Sequence, residues 1–144
     1  MANEKELIKV VIVTPNGICY EHYAQILVLD AIDGEIGIMA NHQPIVIPLA
    51  IGEVRVKRQA SSDEKMDKVA VNGGYLEFSN NTATVIADSA ERGRDIDLAR
   101  AESAKERAER HLREAQEKQD EVSRARAEVA LRRAINRIKV HNEE

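Results

Sequence analysis

Short segments that alternate between hydrophobic and polar positions fill the first part of the chain. Residues 7–14 are rich in β-branched side chains and end at the turn-forming residues 15–17. Residues 52–58 alternate valine with charged residues, which is the two-residue period of a half-buried strand. Further strands are predicted at residues 25–31, 69–72, 75–78 and 82–87, with the glycine pair 73–74 as a separator and a polar hairpin loop at 60–67. Many short strands predict an all-β, antiparallel sandwich or barrel over residues 1–90.

After residue 93 the chain contains neither glycine nor proline, and its hydrophobic residues recur every three or four positions. This is the spacing of an amphipathic helix. Asp95 is the predicted N-cap, and Asp97 falls in the first turn, where a carboxylate suits the helix dipole. Two apolar stripes are formed by Ala101, Ala104, Ala108, Leu112 and Ala115, and by Ala127, Leu131, Ala134 and Ile138. Residues 91–144 are therefore predicted to form a C-terminal α-helical hairpin of two antiparallel helices.

The least regular part of this helical region is residues 116–121. They are predicted either to form the turn of the hairpin or to continue a single helix of about 45 residues, roughly 65 Å long. Because alanine buries little area, and burial contributes about 25 cal/mol per Å², a folded-back hairpin is expected to be only marginally favoured over an extended arm. A marginal element can act as a switch. A permanently docked hairpin is the alternative, and composition favours neither.

Composition narrows the possible functions. The net charge is −4, and the basic side chains are concentrated after residue 92, where acidic residues are interleaved with them. With no tryptophan and one phenylalanine, the chain offers few aromatic surfaces for stacking on bases, so nucleic-acid binding is not expected. Cys19 is the only cysteine, which rules out a disulfide within the chain. No apolar run is long enough to span a membrane, so membrane association is expected only through a partner.

Three groups of residues carry a resemblance to a known family. Residues 34–44 match G-E-x-G-x-x-x-x-H-x-P, residues 73–77 and 84–88 read GGYLE and TVIAD, and residues 96–101 read IDLARA. Each motif alone is weak, but they occur together, in family order and near family spacing. The chain thus resembles the epsilon subunits of F-type, rotary ATP synthases of the bacterial type. The resemblance covers nearly its whole length.

The resemblance implies a non-catalytic rotor subunit of the central stalk that has no active site of its own. The β-domain would bind the gamma subunit and the membrane rotor c-ring, with Glu35 and His42 on the contact surface. The helical tail would either pack against the β-domain or extend along gamma toward the catalytic alpha and beta subunits, and in the extended state it would inhibit ATP hydrolysis. The chain would then be a peripheral protein at the cytoplasmic face of the bacterial plasma membrane. Taken alone, a loop histidine such as His42 is more often structural than a contact residue.

The tail carries the candidate ligand site. Arginine suits a polyphosphate because its guanidinium offers forked donors. Arg100 and Arg107 are seven residues apart and share a helix face, as do Arg133 and Arg137, which are four apart. If the helices fold antiparallel, the two pairs could converge on one side. The resemblance implies a regulatory ATP site, with no cofactor required. Its residues would be Glu91, Ile96, Asp97, Arg100, Ala101, Arg107, Arg133 and Arg137. The alternative is that these arginines are solvated or pair with nearby glutamates.

The sequence lacks the features of an enzyme. It contains no G-x-x-x-x-G-K-[ST] loop, and its four histidines show no triad arrangement. No second histidine or cysteine stands at metal-ligand spacing, so no metal site is predicted. Two rival functions remain open. One is a β-domain with a coiled-coil arm that acts as an assembly adaptor and binds no nucleotide, and the other is a small nucleotide-hydrolysing enzyme.

Overall fold

The computed structural model describes residues 6–58 and 65–143. Contacts between residues divide the chain into two compact units, with the boundary between Arg92 and Gly93. The first unit is built from β-strands and the second from helices. Most of the hairpin loop predicted at residues 60–67, namely 60–64, lies outside the described residues, whereas Asp67 already belongs to a strand.

The described part of the first unit contains seven strands. They are β1 (Ile8–Thr14), β2 (Gly17–Ala31), β3 (Gly34–Ile38), β4 (Ile45–Arg58), β5 (Asp67–Ser79), β6 (Thr82–Ala87) and β7 (Ala90–Arg92). In hydrogen-bonding order, β1 is followed by β6, β5, β4 and β2, and β2 pairs again with β1. These five strands therefore close into a barrel, while β3 extends from β2 and β7 from β5.

This architecture confirms the predicted all-β fold of the first unit. One pairing differs from the antiparallel prediction, because β1 and β6 run parallel. Closing the barrel brings the first strand beside the sixth, with four other strands between them in sequence, so no hairpin fixes their direction.

Alternation along each strand sorts side chains between the barrel interior and its outer surface. In β1, Ile8, Val10 and Ile12 are fully buried, whereas the residues between them are half-buried. The same alternation holds in β6, where Ala83 and Val85 are buried. The largest fully buried side chains of the barrel are Phe78, Ile8, Ile12, Leu27, Leu29, Ile38 and Leu76. The interior is therefore filled by packed aliphatic side chains, which leaves the outer faces for binding.

The prediction that Gly73 and Gly74 separate two strands is wrong. Both lie inside the continuous strand β5, with φ values of +86° and +126°. A Cβ at position 74 would lie 2.0 Å from the carbonyl oxygen of Ile86 on β6. Gly74 therefore lets the backbone of β6 approach closely, which no residue with a side chain would allow.

Several strands are longer than predicted. β2 begins at Gly17 rather than near residue 25, because its first half pairs with β1 although it carries polar residues. β4 begins at Ile45 rather than at 52, because its first half pairs with β5. The strands β3 and β7 were not predicted at all. Both are short, and their backbone groups are paired by longer neighbours.

Two helices confirm the predicted architecture of the second unit. They are α1 (Leu98–Glu117) and α2 (Glu121–Asn142), preceded by a 3-10 turn (Gly93–Asp95). The two apolar stripes are also confirmed, since Ala101, Ala108 and Ala115 on α1 and Ala127 and Ala134 on α2 are buried. The helices pack against each other along these alanines.

The N-cap of α1 is Asp97 rather than the predicted Asp95. Its carboxylate accepts a 3.1 Å hydrogen bond from the N–H of Arg100. Asp95 is instead part of the 3-10 turn, which is closed by a bond from the Ile96 N–H to the Gly93 carbonyl. The turn ends at Asp95, with Ile96 between it and the cap at Asp97, and so moves the cap along the chain.

The helices are separated by a tight turn at residues 118–120, so the second unit is a hairpin and not one long helix. Gln119 has a φ of +53°. The N–H of Asp120 donates to the carbonyl of Ala115 at 2.9 Å, and the N–H of Gln119 donates to that of Gln116 at 3.2 Å. This pair of bonds is the Schellman motif, which satisfies the last carbonyls of α1.

Candidate functional sites

An apolar strip crosses the outer face of the barrel. Its members are Pro48, Tyr75, Ile86, Val13 and Ile18, each directly opposite the next in the strand register. Val13 is half-buried, whereas the other four are exposed, with 56% of Tyr75, 49% of Ile86 and 63% of Ile18 accessible. Five strands at about 4.8 Å spacing make the strip roughly 19 Å long. Contiguous exposed apolar surface of this kind marks an interaction site.

A network of charged side chains lies on another face of the barrel, where β3 and β4 flank β2. The carboxylate of Glu35 accepts a 2.6 Å bond from Arg55, which also bonds the buried carboxylate of Glu53 at 3.0 Å. The second strand contributes Asp30, which accepts a 3.0 Å bond from the N–H of Glu53. Burial by itself lowers the pKa of Arg55, but the hydrogen bond and charge of Glu35 outweigh it and raise that pKa. Glu35 is therefore held in place although its side chain is exposed.

His42 lies in the loop between β3 and β4, as the sequence predicts. Its Nδ1 is 2.7 Å from the carbonyl of Gln43, and its ring packs edge-on against Phe78 with 5.8 Å between centroids. The preceding residue, Asn41, has a φ of +68° and bonds Asn81. These contacts give His42 a structural role in the loop.

An arginine row runs along one side of the helix hairpin. Arg100, Arg107 and Arg133 each directly precede a buried alanine of the stripes. Successive residues turn by about 100° around a helix, so each of these arginines is displaced in the same sense from the helix contact. An antiparallel pair has an approximate two-fold axis that keeps equivalent positions on the same side. The predicted ligands Arg100, Arg107, Arg133 and Arg137 thus share one side of the hairpin, as expected from the sequence.

The two sides of the hairpin differ in their ion pairs. Opposite the arginine row, Arg124 bonds Glu128 at 3.2 Å and lies 3.9 Å from Glu121, and Lys105 lies 4.0 Å from Glu109. On the row itself, the guanidinium groups of Arg100, Arg107 and Arg133 form no ion pair with any carboxylate of the described residues. Their charge is therefore available to an anionic ligand.

The other residues predicted for the ATP site have different environments. Ile96 and Ala101 are buried, and the Asp97 carboxylate already accepts the capping hydrogen bond of α1. Glu91 belongs to β7 of the first unit, where it pairs with Ala70. Sequence reasoning did not select Arg126, which also precedes a buried alanine and so extends the arginine row. The signal that would have found it is an arginine directly before an alanine of the predicted stripe, here Ala127.

A cavity of about 440 Å³ lies between α1 and α2 near the turn. Its floor is alanine, and its rim carries both signs of charge, with Lys118 and Arg126 beside Glu114 and Asp120. The mixed charge gives this cavity no preference for a phosphate over a cation.

Within residues 6–58 and 65–143, no three His, Cys, Asp or Glu side chains are grouped so that they could hold a metal ion. None of the described helices combines the length and the apolar composition needed to cross a bilayer.

Comparison with protein families accounts for both units. Residues 7–93 match the beta-sandwich domain of the ATP synthase delta/epsilon chain, and residues 94–142 match the long alpha-helix domain of the same chain. The chain belongs to the ATP synthase delta/epsilon family. The resemblance carried by the three sequence motifs is thereby confirmed.

Relatives within this family are similar over nearly their full lengths. The ATP synthase epsilon chain of Lactobacillus helveticus is 58% identical over 142 residues, which cover 99% of this chain and 97% of that one. The ATP synthase epsilon chain of Lactobacillus johnsonii is 59% identical over 140 residues, covering 97% and 96%.

Among solved structures, a chain in the OSCP/F1/c-ring part of the Euglena gracilis mitochondrial ATP synthase aligns with a TM-score of 0.73 and 21% identity. The alignment covers 91% of this chain and 79% of that one. At this identity the likeness concerns the fold.

Proposed function

We propose that this chain is a non-catalytic subunit of the central stalk of a rotary ATP synthase, where its barrel binds the gamma subunit and the c-ring. The apolar strip carries this proposal, because exposed contiguous apolar surface is unfavourable in water and marks a site that a partner covers. The relatives are named ATP synthase epsilon chains, and the Euglena chain belongs to an assembly with F1 and a c-ring. Glu35 and His42 supply a second, polar contact to the same partners.

Co-assembly of the stalk tests the docking surface. We expect Tyr75→Glu to reduce co-purification of gamma and the c-ring with this chain at least tenfold, since it places a charge in the middle of the strip. Tyr23→Glu is the matched control, because Tyr23 is equally exposed, at 61%, but lies outside the strip. Equal losses in both variants, or in neither, would contradict docking through the strip. A chain that never co-purified with either partner would support the free adaptor instead.

The helix hairpin acts in this proposal as a regulatory element that senses ATP. Arg100, Arg107 and Arg133 support this role, since they form no ion pair within the described residues, and a triphosphate needs several fixed positive charges such as these two helices offer. No cofactor is required. The chain holds ATP as a ligand and does not hydrolyse it, because the row presents neither a phosphate-binding loop nor an activated nucleophile.

Calorimetric titration of ATP into the isolated chain tests this site. We expect Arg100→Ala and Arg133→Ala each to weaken binding about tenfold or more, since a charged hydrogen bond contributes about 1.5–3 kcal/mol. Arg124→Ala is the matched control on the ion-paired side and should bind ATP as the unmodified chain does. If the unmodified chain does not bind ATP, the sensing role is excluded. The tail would then be interpreted as the arm of an assembly adaptor. Phosphate release by the clean protein would favour the small hydrolase.

Inhibition of hydrolysis completes the proposal. The tail would extend toward the catalytic alpha and beta subunits and impede rotation, in a complex at the cytoplasmic face of the bacterial plasma membrane. Truncation after Arg92 is the appropriate test, because it keeps β7 paired with β5. We expect the truncated chain to assemble and ATP hydrolysis by the complex to rise. Hydrolysis that is unchanged at every ATP concentration would contradict the inhibitory role.

A further inference from the structure

The turn of the hairpin holds a residue with a side chain in a backbone conformation that suits glycine. Gln119 has a φ of +53° and follows Lys118, the C-cap of α1. Helices commonly end with a left-handed residue at this position, and it is usually glycine. For an L-residue the Cβ crowds the following carbonyl, which disfavours the left-handed conformation by about tenfold relative to glycine.

Apart from this residue, the turn is well bonded. The Asp120 N–H closes the end of α1 on Ala115, and the Asp120 carboxylate caps α2 by accepting 3.1 Å and 2.7 Å bonds from the N–H and hydroxyl of Ser123. Both helix ends at the turn therefore have capping hydrogen bonds, and Gln119 is the residue of the turn whose φ is unfavourable.

The straight alternative is locally easy to form. Residues 116–121 read Gln-Glu-Lys-Gln-Asp-Glu, with neither glycine nor proline. Gln, Glu and Lys are good helix formers. Straightening would place Gln119 in the right-handed region and would restore the helical hydrogen bonds across the turn. What it would lose is the contact between stripes made mostly of alanine, each of which buries little area.

We propose that Gln119 is the hinge residue of the tail and that its left-handed strain sets the balance between the hairpin and a straight helix. The inference rests on the proposed regulatory role of the helices, because it names the residue that tunes that switch. With glycine at this position the hairpin would be held closed. With glutamine, closing the hairpin costs the free energy of the left-handed conformation. A partner or ligand with a modest preference for one form therefore decides which form is populated.

A distance measurement in the isolated, full-length chain tests the hinge. Spin labels are placed at Glu102→Cys and Lys139→Cys, which are exposed and nearly equally far from the turn along the chain, in a Cys19→Ser background. In the hairpin the two positions lie at the same end of the helix pair. In a straight helix, 37 residues at 1.5 Å would separate them by about 55 Å. Pulsed electron–electron double resonance then measures the populations of the hairpin and of the straight helix.

Three substitutions at position 119 give the expected order. Gln119→Gly should raise the ratio of closed to straight forms about tenfold or more, because it removes the strain and weakens the straight helix. Gln119→Ala keeps the Cβ and the helix propensity and should match the unmodified chain. Gln119→Val should raise the straight population, since a β-branched residue tolerates positive φ poorly.

Identical distance distributions in the glycine, alanine and valine variants would overturn the hinge proposal, whichever form they showed. Circular dichroism of each variant confirms that the helices are retained. The measurement uses neither ATP nor a stalk partner. Failure here would therefore leave the stalk role intact, whereas failure of the co-assembly test would leave the hinge intact.

Discussion

The hydroxyl of Tyr20 donates a 2.6 Å hydrogen bond to the carboxylate of Asp67, joining β2 to β5 across 47 positions of sequence. Arg58 on β4 bonds both oxygens of the same carboxylate. Arg92 approaches one of them at 4.0 Å and stacks on the Tyr20 ring, 5.1 Å from its centroid. Arg92 is the last residue before the boundary between the units, so this network fixes the end of the barrel next to Gly93.

The Asp67 network predicts a pH dependence of the barrel. Burial by itself raises the pKa of Asp67, but the hydrogen bonds of Arg58 and Tyr20 outweigh it and hold that pKa below its ordinary value. A carboxylate with a lowered folded pKa stabilises the fold above its unfolded pKa of about 4, and the contribution is lost as the pH falls through the folded pKa. We expect Asp67→Asn to be about 2 kcal/mol less stable at pH 7, because buried donors lose their charged acceptor.

Denaturant titrations at pH 7 and pH 3, followed by NMR signals of barrel amides, measure this effect. The unmodified chain should lose more stability between the two pH values than Asp67→Asn does. Asp33→Asn is the control, since Asp33 is exposed in the turn between β2 and β3. The same loss on acidification in the unmodified chain and in Asp67→Asn would show that Asp67 does not supply it.

A second prediction concerns Gly52, which is buried in β4. A Cβ there would lie 2.6 Å from Oδ2 and 2.7 Å from the Cβ of Asp30, which bonds the N–H of Glu53. We expect Gly52→Ala to cost about 2 kcal/mol of unfolding free energy, because the overlap displaces Asp30. Gly37→Ala is the matched control, since its new Cβ would meet only Ile26, at 3.8 Å. Thermal unfolding of both variants tests this expectation. Equal stabilities would refute the clash with Asp30 as the cause.

A third prediction separates two roles of Asp97, which is both the observed N-cap and a predicted ATP residue. Asp97→Ala should cost the helix unit about 1 kcal/mol, whereas Asp97→Asn should nearly preserve it, because asparagine caps as well as aspartate. Asp95→Ala should have little effect. Amide exchange of α1 measures the capping. If Asp97→Asn also binds ATP normally, Asp97 acts as a cap; if it caps normally but binds weakly, its charge contacts the ligand.

The barrel strands show where sequence patterns suffice and where they do not. Residues 82–87 were predicted with correct bounds, because their alternation is regular and turn residues flank them. The pair Gly73 and Gly74 was misread, because the residue that explains it, Ile86, lies on another strand. Glycines that end a strand and glycines that admit a neighbouring backbone look alike in sequence. Only the strand register distinguishes them.

The binding surfaces too are predictable from the sequence in part only. The helix spacing was enough to predict that Arg100 and Arg107 share a face of one helix and that Arg133 and Arg137 share a face of the other. That both pairs lie on the same side depends on how the two helices face each other in the hairpin. The apolar strip was not predictable, because Tyr75 and Ile86 become neighbours only through the pairing of β5 with β6. Asp95 and Asp97 are equally good caps by composition, and the 3-10 turn decides between them.

The alanine stripes impose a condition on any surface that receives the straightened tail. In the hairpin the stripes of α1 and α2 face each other. Ala115 and Ala127 are 12 residues apart, so in one continuous helix they would point in directions about 120° apart. A flat partner could cover one stripe and would leave the other in water. The receiving site must therefore wrap around the helix, as a cleft between subunits does.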